Sequence, residues 1–281
     1  MSLALVLGGG GVVGIAWETG LLAGLRQAGI DLSKADLIVG TSAGSVVGAQ
    51  LATGCNLDEL YARLLQPVDP ALERAPAVDM VALGQAFLSA APTGVMTPEA
   101  RARLGALALE AATGTEASRL RVIEARLPIH DWPECRLLIT AVDAQDGGFV
   151  VWDKSAGVPL PLAVASSCAV PLVFPPMTIN GRRFIDGGVR SATNADLAQG
   201  CESVVILAVT ARQPGQAAPL EAEVGRLRAN GNRVEVIVPD DAAVRAFGAN
   251  LLDPAQRAAA AQAGHAQAAA AAATLGALGR V

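Results

Sequence analysis

Ser42 has sequence surroundings that suit a nucleophile. It lies at the centre of Gly40-Thr41-Ser42-Ala43-Gly44, after the apolar run Leu37–Val39 and before a run of small apolar residues that favours a helix. Strand, sharp turn and helix form a nucleophile elbow, which exposes the serine hydroxyl at the turn. The flanking glycines are required because side chains there would collide with the turn. The N-terminus of the following helix faces any anion that forms beside the serine.

A second pattern able to bind an anion follows the first predicted strand. Residues 3–7 are predicted to form a short buried strand, residues 8–14 a glycine-rich loop, and residues 15–28 a helix that stops at Gly29. Backbone N–H groups converge on an anion in such a loop. The anion is either the oxyanion of an acyl-transfer intermediate or the pyrophosphate of a dinucleotide, whose fingerprint is matched by Gly9-x-Gly11-x-x-Gly14.

The position of the nearest acidic residue distinguishes these two interpretations. A dinucleotide site requires an acidic residue at the end of the second strand, whereas Asp36 precedes that strand. The carboxyl ends of adjacent parallel strands meet at one edge of a sheet, so the glycine loop and Ser42 are predicted to share that edge. A nucleotide would compete with the serine for this space. We therefore favour the oxyanion and keep a nucleotide-binding oxidoreductase as an alternative.

The composition predicts one globular domain over residues 1–281. Apolar residues make up 52% of the chain and charged residues 17%, which argues against disorder. The formal net charge is −5 and no basic cluster occurs, so nucleic acid is not expected as a partner. The only segment of biased composition is an alanine-rich stretch, which predicts a C-terminal helix over about 254–279.

Cysteine usage and the N-terminal residues predict a cytoplasmic protein. The four cysteines are far apart and lack the spacing of metal ligands, which favours reduced thiols and no metal site. No cationic stretch precedes the apolar residues 3–7, so they do not resemble a secretory signal. Residues 258–279 are nearly free of charge, but their alanines and scattered polar residues favour a packed or surface helix over a membrane span.

Strands and helices alternate in the remainder of the chain. The predicted strands are 136–142, 149–152, 203–208 and 233–238, with a β-hairpin that turns at Asn180-Gly181. The predicted helices are 159–167, 194–199 and 220–229, and the proline-rich residues 170–176 are predicted to be extended. This alternation predicts an α/β fold: a three-layer α/β/α sandwich with a mostly parallel central sheet.

Residues 55–130 lack a strand signal and predict a helical insertion. Apolar residues recur at helical spacing over 57–65, 78–88 and 99–112. The insertion either packs as plain structure over the edge of the sheet or forms part of a substrate groove or lid. In the second case its apolar side chains would line an acyl pocket, and the candidates are Met80, Phe87, Leu88 and Met96.

A serine nucleophile needs a group that accepts its proton, and Asp186 is the candidate. Of the two histidines in the chain, His130 precedes a predicted strand, at the opposite edge of the sheet from Ser42, and His265 lies in the alanine-rich helix. Asp186 ends a predicted strand and is followed by Gly187-Gly188, so its carboxylate can project into a crevice beside close backbone. Asp-Gly pairs also form ordinary turns.

Four blocks occur in the order found in patatin-like phospholipases, and the chain resembles that family. They are the glycine loop 9–14, the elbow 40–44, the stretch 165–176 and the stretch 180–188 that ends in Asp186-Gly187-Gly188. The resemblance covers residues 3–54 and 136–210, and it implies a patatin-like fold. It also implies a hydrolase that cleaves lipid esters with a Ser–Asp dyad and without a cofactor.

The resemblance assigns roles to individual residues. Ser42 is implied as the nucleophile and Asp186 as the proton acceptor. The backbone N–H groups of three glycines are implied to form the oxyanion hole: Gly9, Gly10 and Gly11. Further glycines are implied to support the motifs: Gly14, Gly40, Gly44, Gly187 and Gly188. The implied partner is a lipid or other acyl ester, with transient peripheral contact with a membrane surface; a non-catalytic patatin-like regulator is the second alternative.

Val13 departs from the family pattern. The family usually has Arg or Lys just before the last glycine of the loop, and this chain has valine there. A phosphate that enters a partly dry site needs a positive partner or several N–H donors. The loop therefore predicts that neutral esters are better substrates than charged phospholipids.

Overall fold

An eight-stranded sheet forms the centre of the part of the chain that the structure, a computed structural model, describes: residues 2–67, 75–76, 79–213 and 215–276. In chain order the strands are β1 (Leu3–Leu7), β2 (Leu37–Gly40), β3 (Arg136–Asp143), β4 (Phe149–Trp152), β5 (Met177–Ile179), β6 (Arg182–Asp186), β7 (Ser203–Leu207) and β8 (Arg233–Ile237). The predicted strands are confirmed to within one residue at each end.

The sheet is mostly parallel, as predicted. Its order is β5-β6-β3-β2-β1-β7-β8, and β4 also pairs with β3. β8, β7, β1, β2 and β3 run parallel to one another, while β4, β5 and β6 are antiparallel to their neighbours. Leu7 is paired with Gly40 and Gly40 with Ile139. The loops that follow β1 and β2 therefore leave the sheet at the same edge.

Helices cover both faces of this sheet. Among the described residues they are α1 (Gly11–Gln27), α2 (Ala43–Ala52), α3 (Leu57–Leu64), α4 (Met80–Ala90), α5 (Pro98–Glu110), α6 (Glu116–Arg126), α7 (Leu160–Ser167), α8 (Ala217–Ala229), α9 (Asp241–Phe247) and α10 (Arg257–Gly276), with a 3₁₀ turn at Ala195–Ala198. Side chains alternate between the faces of each strand. Leu5 and Leu7 pack with α1, α2, α7 and α10, whereas Ala4 and Val6 pack with α8 and the 3₁₀ turn. The predicted three-layer arrangement is present.

The insertion and the alanine-rich segment are helical. α3, α4 and α5 lie close to the predicted helical stretches, and α6 is an additional helix for which no separate prediction was made. The insertion includes 68–74 and 77–78, which lie outside the described residues, as do residues 277–279 of the predicted C-terminal helix. α10 packs along α1 through small buried residues such as Ala261 and Ala268.

Two local predictions are corrected. α1 begins at Gly11, four residues before the predicted start, because the Gly14 amide already donates to the Gly10 carbonyl (2.9 Å). The predicted extended stretch 170–176 is a turn, because the amides of Val173 and Phe174 both donate to one carbonyl. The first correction places the end of the glycine loop in the first turn of a helix, where amides have no helical acceptor.

Candidate active site

The turn that carries Ser42 is tightly constrained. Ser42 joins β2 to α2 with a φ of 53°, which is unfavourable for a residue other than glycine. A side chain at Gly44 would overlap the carbonyl of Leu7, and one at Gly40 would lie 2.6 Å from the Cα of Ser45. The Ser42 amide donates to Ser167 Oγ at 2.9 Å. Strained backbone of this kind costs about 1–3 kcal/mol and is found at functional sites.

The Ser42 hydroxyl donates to Asp186 Oδ2 at 2.6 Å. Asp186 ends β6, and its other carboxylate oxygen accepts from the Gly188 amide at 2.7 Å. Both residues are nearly buried, with 8% of Ser42 and 4% of Asp186 exposed. The structure thus brings together two residues that are 144 positions apart in the chain and that sequence analysis had selected separately.

Burial raises the pKa of Asp186 from 3.8 to about 6. The hydrogen bonds from Ser42 and Gly188 and the charge of Arg119 act in the opposite direction, but they do not offset the loss of hydration. A carboxylate with this pKa is a stronger base than one in water and is still ionised at neutral pH. Asp186 can therefore accept a proton from a hydroxyl that is hydrogen-bonded to it.

A buried polar network holds three strand ends together beneath Ser42 and Asp186. The Thr41 and Thr140 hydroxyls are hydrogen-bonded at 2.9 Å, and Asn194 Nδ2 donates to Thr41 Oγ1 (3.0 Å) and to the Gly187 carbonyl (3.3 Å). Asn194 is fully buried. Sequence analysis did not identify Asn194, and its only local signal is that asparagine tolerates the left-handed conformation it adopts here (φ 50°).

The amides available at the glycine loop differ from the predicted set. The Gly9 amide donates to the Ala192 carbonyl at 2.8 Å, so we leave Gly9 out of the candidate oxyanion donors. The amides of Gly10, Gly11 and Val12 have no hydrogen-bond acceptor within the described part of the chain. Sequence analysis missed Val12 because it treated the first turn of α1 as loop. These three amides lie at a helix N-terminus, where the helix dipole favours an anion.

A cavity of about 460 Å³ contains Ser42. Gly11 and Val12 line it on the side of α1, and Leu172 and Phe174 line it in the turn that follows α7. Arg119 completes this wall from α6, where its guanidinium lies 3.7 Å from the centre of the Phe174 ring and donates to the Cys168 carbonyl at 3.1 Å. The serine therefore opens into a partly apolar pocket large enough for an ester.

The positive groups at this cavity come from α6 and not from the glycine loop. Val13 is fully buried and is not part of the cavity wall, whereas Arg119 and Arg126 are. The reason given above for a preference for neutral esters therefore does not hold in the structure. Sequence analysis missed both arginines because it did not separate α6 from the insertion. The Thr115 hydroxyl, which accepts from the Ser118 amide (3.2 Å) and caps α6, was the available signal.

Neither histidine contacts Ser42 or Asp186. His130 Nε2 lies 3.2 Å from the Glu124 carbonyl, and His265 Nε2 lies 3.1 Å from Gln27 Oε1 on the far side of α1. Asp36 accepts from the Leu3 amide at the start of β1, which is the opposite edge of the sheet from the glycine loop. A nucleotide on that loop would therefore lack the acidic partner that its fingerprint requires.

The described residues hold neither a cluster of metal ligands nor a helix that could span a membrane. No group of three or more His, Cys, Asp or Glu side chains there could hold a metal ion. No helix in the part of the chain that the structure describes is both long and apolar enough to cross a membrane.

The fold and the site define a class: α/β proteins in which a serine at a strained strand–helix turn is hydrogen-bonded to an aspartate at the same sheet edge. The chain belongs to the patatin-like phospholipase family, a family of lipid ester hydrolases, because the family model with that description matches residues 5–198. The matched range contains the glycine loop, Ser42 and Asp186.

Similarity to individual proteins is limited to a short segment or to low sequence identity. Lysophospholipase nte1 of Aspergillus oryzae is 45% identical over 62 residues, which are 22% of this chain and 4% of that protein. Among solved structures, VipD from Legionella pneumophila aligns with 97% of this chain and 66% of its own at 12% identity and a TM-score of 0.47. The type III effector ExoU aligns with 97% and 53% at 16% identity and a TM-score of 0.41. The chain thus spans a small part of the curated relative and between half and two thirds of the two solved chains.

Proposed function

We propose that this protein is a serine acyl hydrolase that cleaves a carboxylic ester of a lipid, with Ser42 as nucleophile and Asp186 as base. The observation that carries the proposal is the 2.6 Å hydrogen bond from the Ser42 hydroxyl to Asp186. The family to which the chain belongs agrees with a lipid ester as substrate.

In the proposed reaction, Asp186 accepts the Ser42 proton while the serine oxygen attacks the ester carbonyl carbon. The amides of Gly10, Gly11 and Val12 stabilise the tetrahedral oxyanion. The C–O bond to the alcohol breaks as Asp186 returns the proton to that oxygen, which leaves an acyl-enzyme. A water molecule then gives a proton to Asp186 as its oxygen attacks the acyl carbon. The bond from that carbon to Ser42 Oγ breaks as Asp186 returns the proton to Oγ, which releases the fatty acid and restores Ser42.

Two alternatives differ from the hydrolase in predicting no reaction with a fluorophosphonate probe, which reacts with activated serines. A nucleotide-binding oxidoreductase would have no activated serine and would bind NAD or NADP on the glycine loop. A non-catalytic patatin-like regulator would neither react with the probe nor hydrolyse esters. The position of Ser42 in the wall of the cavity beside Gly11 favours the hydrolase over the oxidoreductase, because a nucleotide there would cover the serine. The hydrogen bond from Ser42 to Asp186 favours it over the regulator.

The pH dependence of hydrolysis tests Asp186 as the base. Since only the ionised carboxylate accepts a proton, kcat/KM for a soluble nitrophenyl ester is expected to level off above the pKa of about 6. Below that pH the value is expected to fall about tenfold for each unit. An inflection near pH 4, the value for a hydrated aspartate, would contradict the assignment.

Histidine also titrates in this range, and its contribution is separated by mutation. The double variant His130→Ala, His265→Ala is expected to keep the same inflection and a kcat within about tenfold of wild type, which is about 1.4 kcal/mol. Disappearance of the inflection in this variant would assign the titration to a histidine.

We also propose that α4 makes the transient contact with a lipid surface. Val81 and Leu88 are each 69% exposed, and no charged residue occurs from Met80 to Pro98, so contact with lipid removes no charge from water. Phe87 packs on the same cluster as Leu172, which lines the cavity of Ser42. The four residues predicted above to line an acyl pocket have different surroundings. Leu88 faces solvent and does not line an acyl pocket. Phe87 and Met96 are half-buried on the cluster that also contacts Leu172, and the side chain of Met80 lies outside what is described.

Sedimentation with phosphatidylcholine vesicles tests this surface. The double variant Val81→Asp, Leu88→Asp is expected to bind vesicles at least about tenfold more weakly, because burying each aliphatic side chain contributes about 1.5–3 kcal/mol. Hydrolysis of a soluble short ester is expected to stay unchanged. Val244→Asp, at a valine that is 40% exposed on α9, is the matched control. Unchanged vesicle binding, or a wild-type dimer that the double variant dissociates, would contradict a lipid contact.

A further inference from the structure

A second cavity, of about 200 Å³, adjoins the one that contains Ser42. The two share four lining residues, which are Val12, Ile15, Val122 and Arg126. Half of the other eight lining residues are aliphatic: Val46, Leu60, Leu64 and Ala125. The other half are polar: Thr19, Gln50, Arg63 and Arg257. No step of the reaction proposed for Ser42 involves a residue that lines only this cavity.

Helical spacing connects this cavity to the nucleophile. Ser42 immediately precedes α2, and Val46 and Gln50, four residues apart, lie on one face of that helix. On α1, Val12 and Thr19 are seven residues apart, which again places them on one face. α1 packs against α2, so the two faces form a groove that leads from Ser42 to Thr19 and Gln50.

The length of this groove can be estimated from the helix. Ser42 and Gln50 are eight positions apart, which at 1.5 Å per residue is about 12 Å, the length of an extended chain of about eight to ten carbons. At the far end the Gln50 amide donates to the Arg126 carbonyl at 2.8 Å. The Thr19 hydroxyl, 1% exposed, has no hydrogen-bond partner among the described residues. A longer chain would press its methyl end against this hydroxyl.

We propose that the second cavity binds the acyl chain of the substrate and selects chains of medium length. The inference rests on the proposed function, because it places the ester carbonyl at Ser42 and the alcohol in the larger cavity. The chain then runs between α1 and α2 against Val46, Leu60 and Leu64, and Thr19 and Gln50 limit its length. A straight saturated chain fits against the aliphatic side chains, whereas a polar group on the chain would have to reach Thr19, Gln50 or an arginine to make a hydrogen bond.

Substitutions at Leu64 test the proposal in both directions. Leu64 lies on the outer helix α3 and lines only the second cavity, so changes there leave the serine untouched. Leu64→Trp fills the cavity and is expected to lower kcat/KM for nitrophenyl decanoate at least about tenfold, with acetate changed by less than about twofold. Leu64→Ala widens the cavity while Thr19 and Gln50 still limit its length, so it is expected to raise kcat/KM for branched acyl chains relative to straight chains of the same length.

Leu107→Trp is the matched control, because Leu107 is 39% exposed on α5 and lines neither cavity. An equal loss at all chain lengths, or no loss, in folded Leu64→Trp would overturn the proposal. Calorimetric titration with decanoate separates this result from failure of the proposed function. If the wild type binds decanoate and Leu64→Trp does not, the chain site holds even in a protein that hydrolyses no ester; if the two bind equally, the site is wrong whatever the activity.

Discussion

Replacing Ser42 with alanine is expected to lower kcat for ester hydrolysis at least about 10⁴-fold, the scale observed when a serine nucleophile is removed from a hydrolase. The variant loses the attacking oxygen, while Asp186 keeps its hydrogen bond from the Gly188 amide, so the site is expected to remain folded. Steady-state hydrolysis of nitrophenyl octanoate measures the loss. Labelling by a fluorophosphonate probe is expected to disappear in the same protein.

Ser155→Ala is the matched control for this variant. Ser155 is exposed and bonds only to its neighbour Asp153, away from the cavity of Ser42. Its activity and its labelling are expected to equal those of the wild type. Full esterase activity in purified Ser42→Ala would rule out Ser42 as the nucleophile, and a folded wild type that is neither labelled nor active would favour the non-catalytic regulator.

Asp186→Asn is expected to lower kcat at least about 10³-fold, because an amide cannot accept the serine proton. The oxygen of the amide can still accept the hydrogen bond from Ser42, but the amide nitrogen cannot accept the one from Gly188, so one of the two hydrogen bonds of the carboxylate is lost. The residual rate is expected to lose the inflection near pH 6 that the wild type shows. Asp131→Asn, at an exposed aspartate outside the site, is the matched control for the change of charge.

Stability distinguishes a base from a structural carboxylate at this position. The pKa of Asp186 is raised from 3.8 to about 6 on folding, so its ionisation opposes folding: its contribution is most favourable below pH 4 and is lost as the pH rises through about 6. Asp186→Asn removes this ionisation. The difference in free energy of unfolding between the variant and the wild type is expected to move in favour of the variant by up to about 3 kcal/mol from pH 4 to pH 8, at about 1.4 kcal/mol per pKa unit.

Urea denaturation of both proteins at pH 4 and pH 8 measures this difference. The hydrogen bond from Gly188 is lost at both pH values, so the expected signature is a change in the stability difference in favour of the variant from pH 4 to pH 8. A difference that stays constant or moves against the variant would show that Asp186 serves the fold as an ionised partner and would weaken its assignment as a base that is kept in a poorly hydrated site.

Local sequence determined the elements and the two central residues of the site. The alternation of buried strands and helices predicted the sheet, and Asn180-Gly181 predicted the hairpin, because those residue types favour the positive φ that both adopt (50° and 77°). Ser42 and Asp186 were identified because each lies in a short motif of contiguous residues that contains glycines, although Gly44 and Gly187 are crowded by Leu7 and Thr140, which are distant in the chain. Information of this kind lies within a few residues of the position that it specifies.

Only the tertiary structure decided which groups face the serine. Gly9 was predicted as an oxyanion donor, but its amide is taken by Ala192, a residue 183 positions later whose approach no local pattern indicates. Arg119 reaches the cavity because α6 packs beside α7, and the acyl groove exists because α1 lies against α2. The pKa of Asp186 likewise depends on burial by residues from several elements. The sequence by itself determined the motifs, because each is a contiguous run of residue types. Amide availability, cavity shape and basicity depend on packing between segments distant in the chain, so only the folded structure decided them.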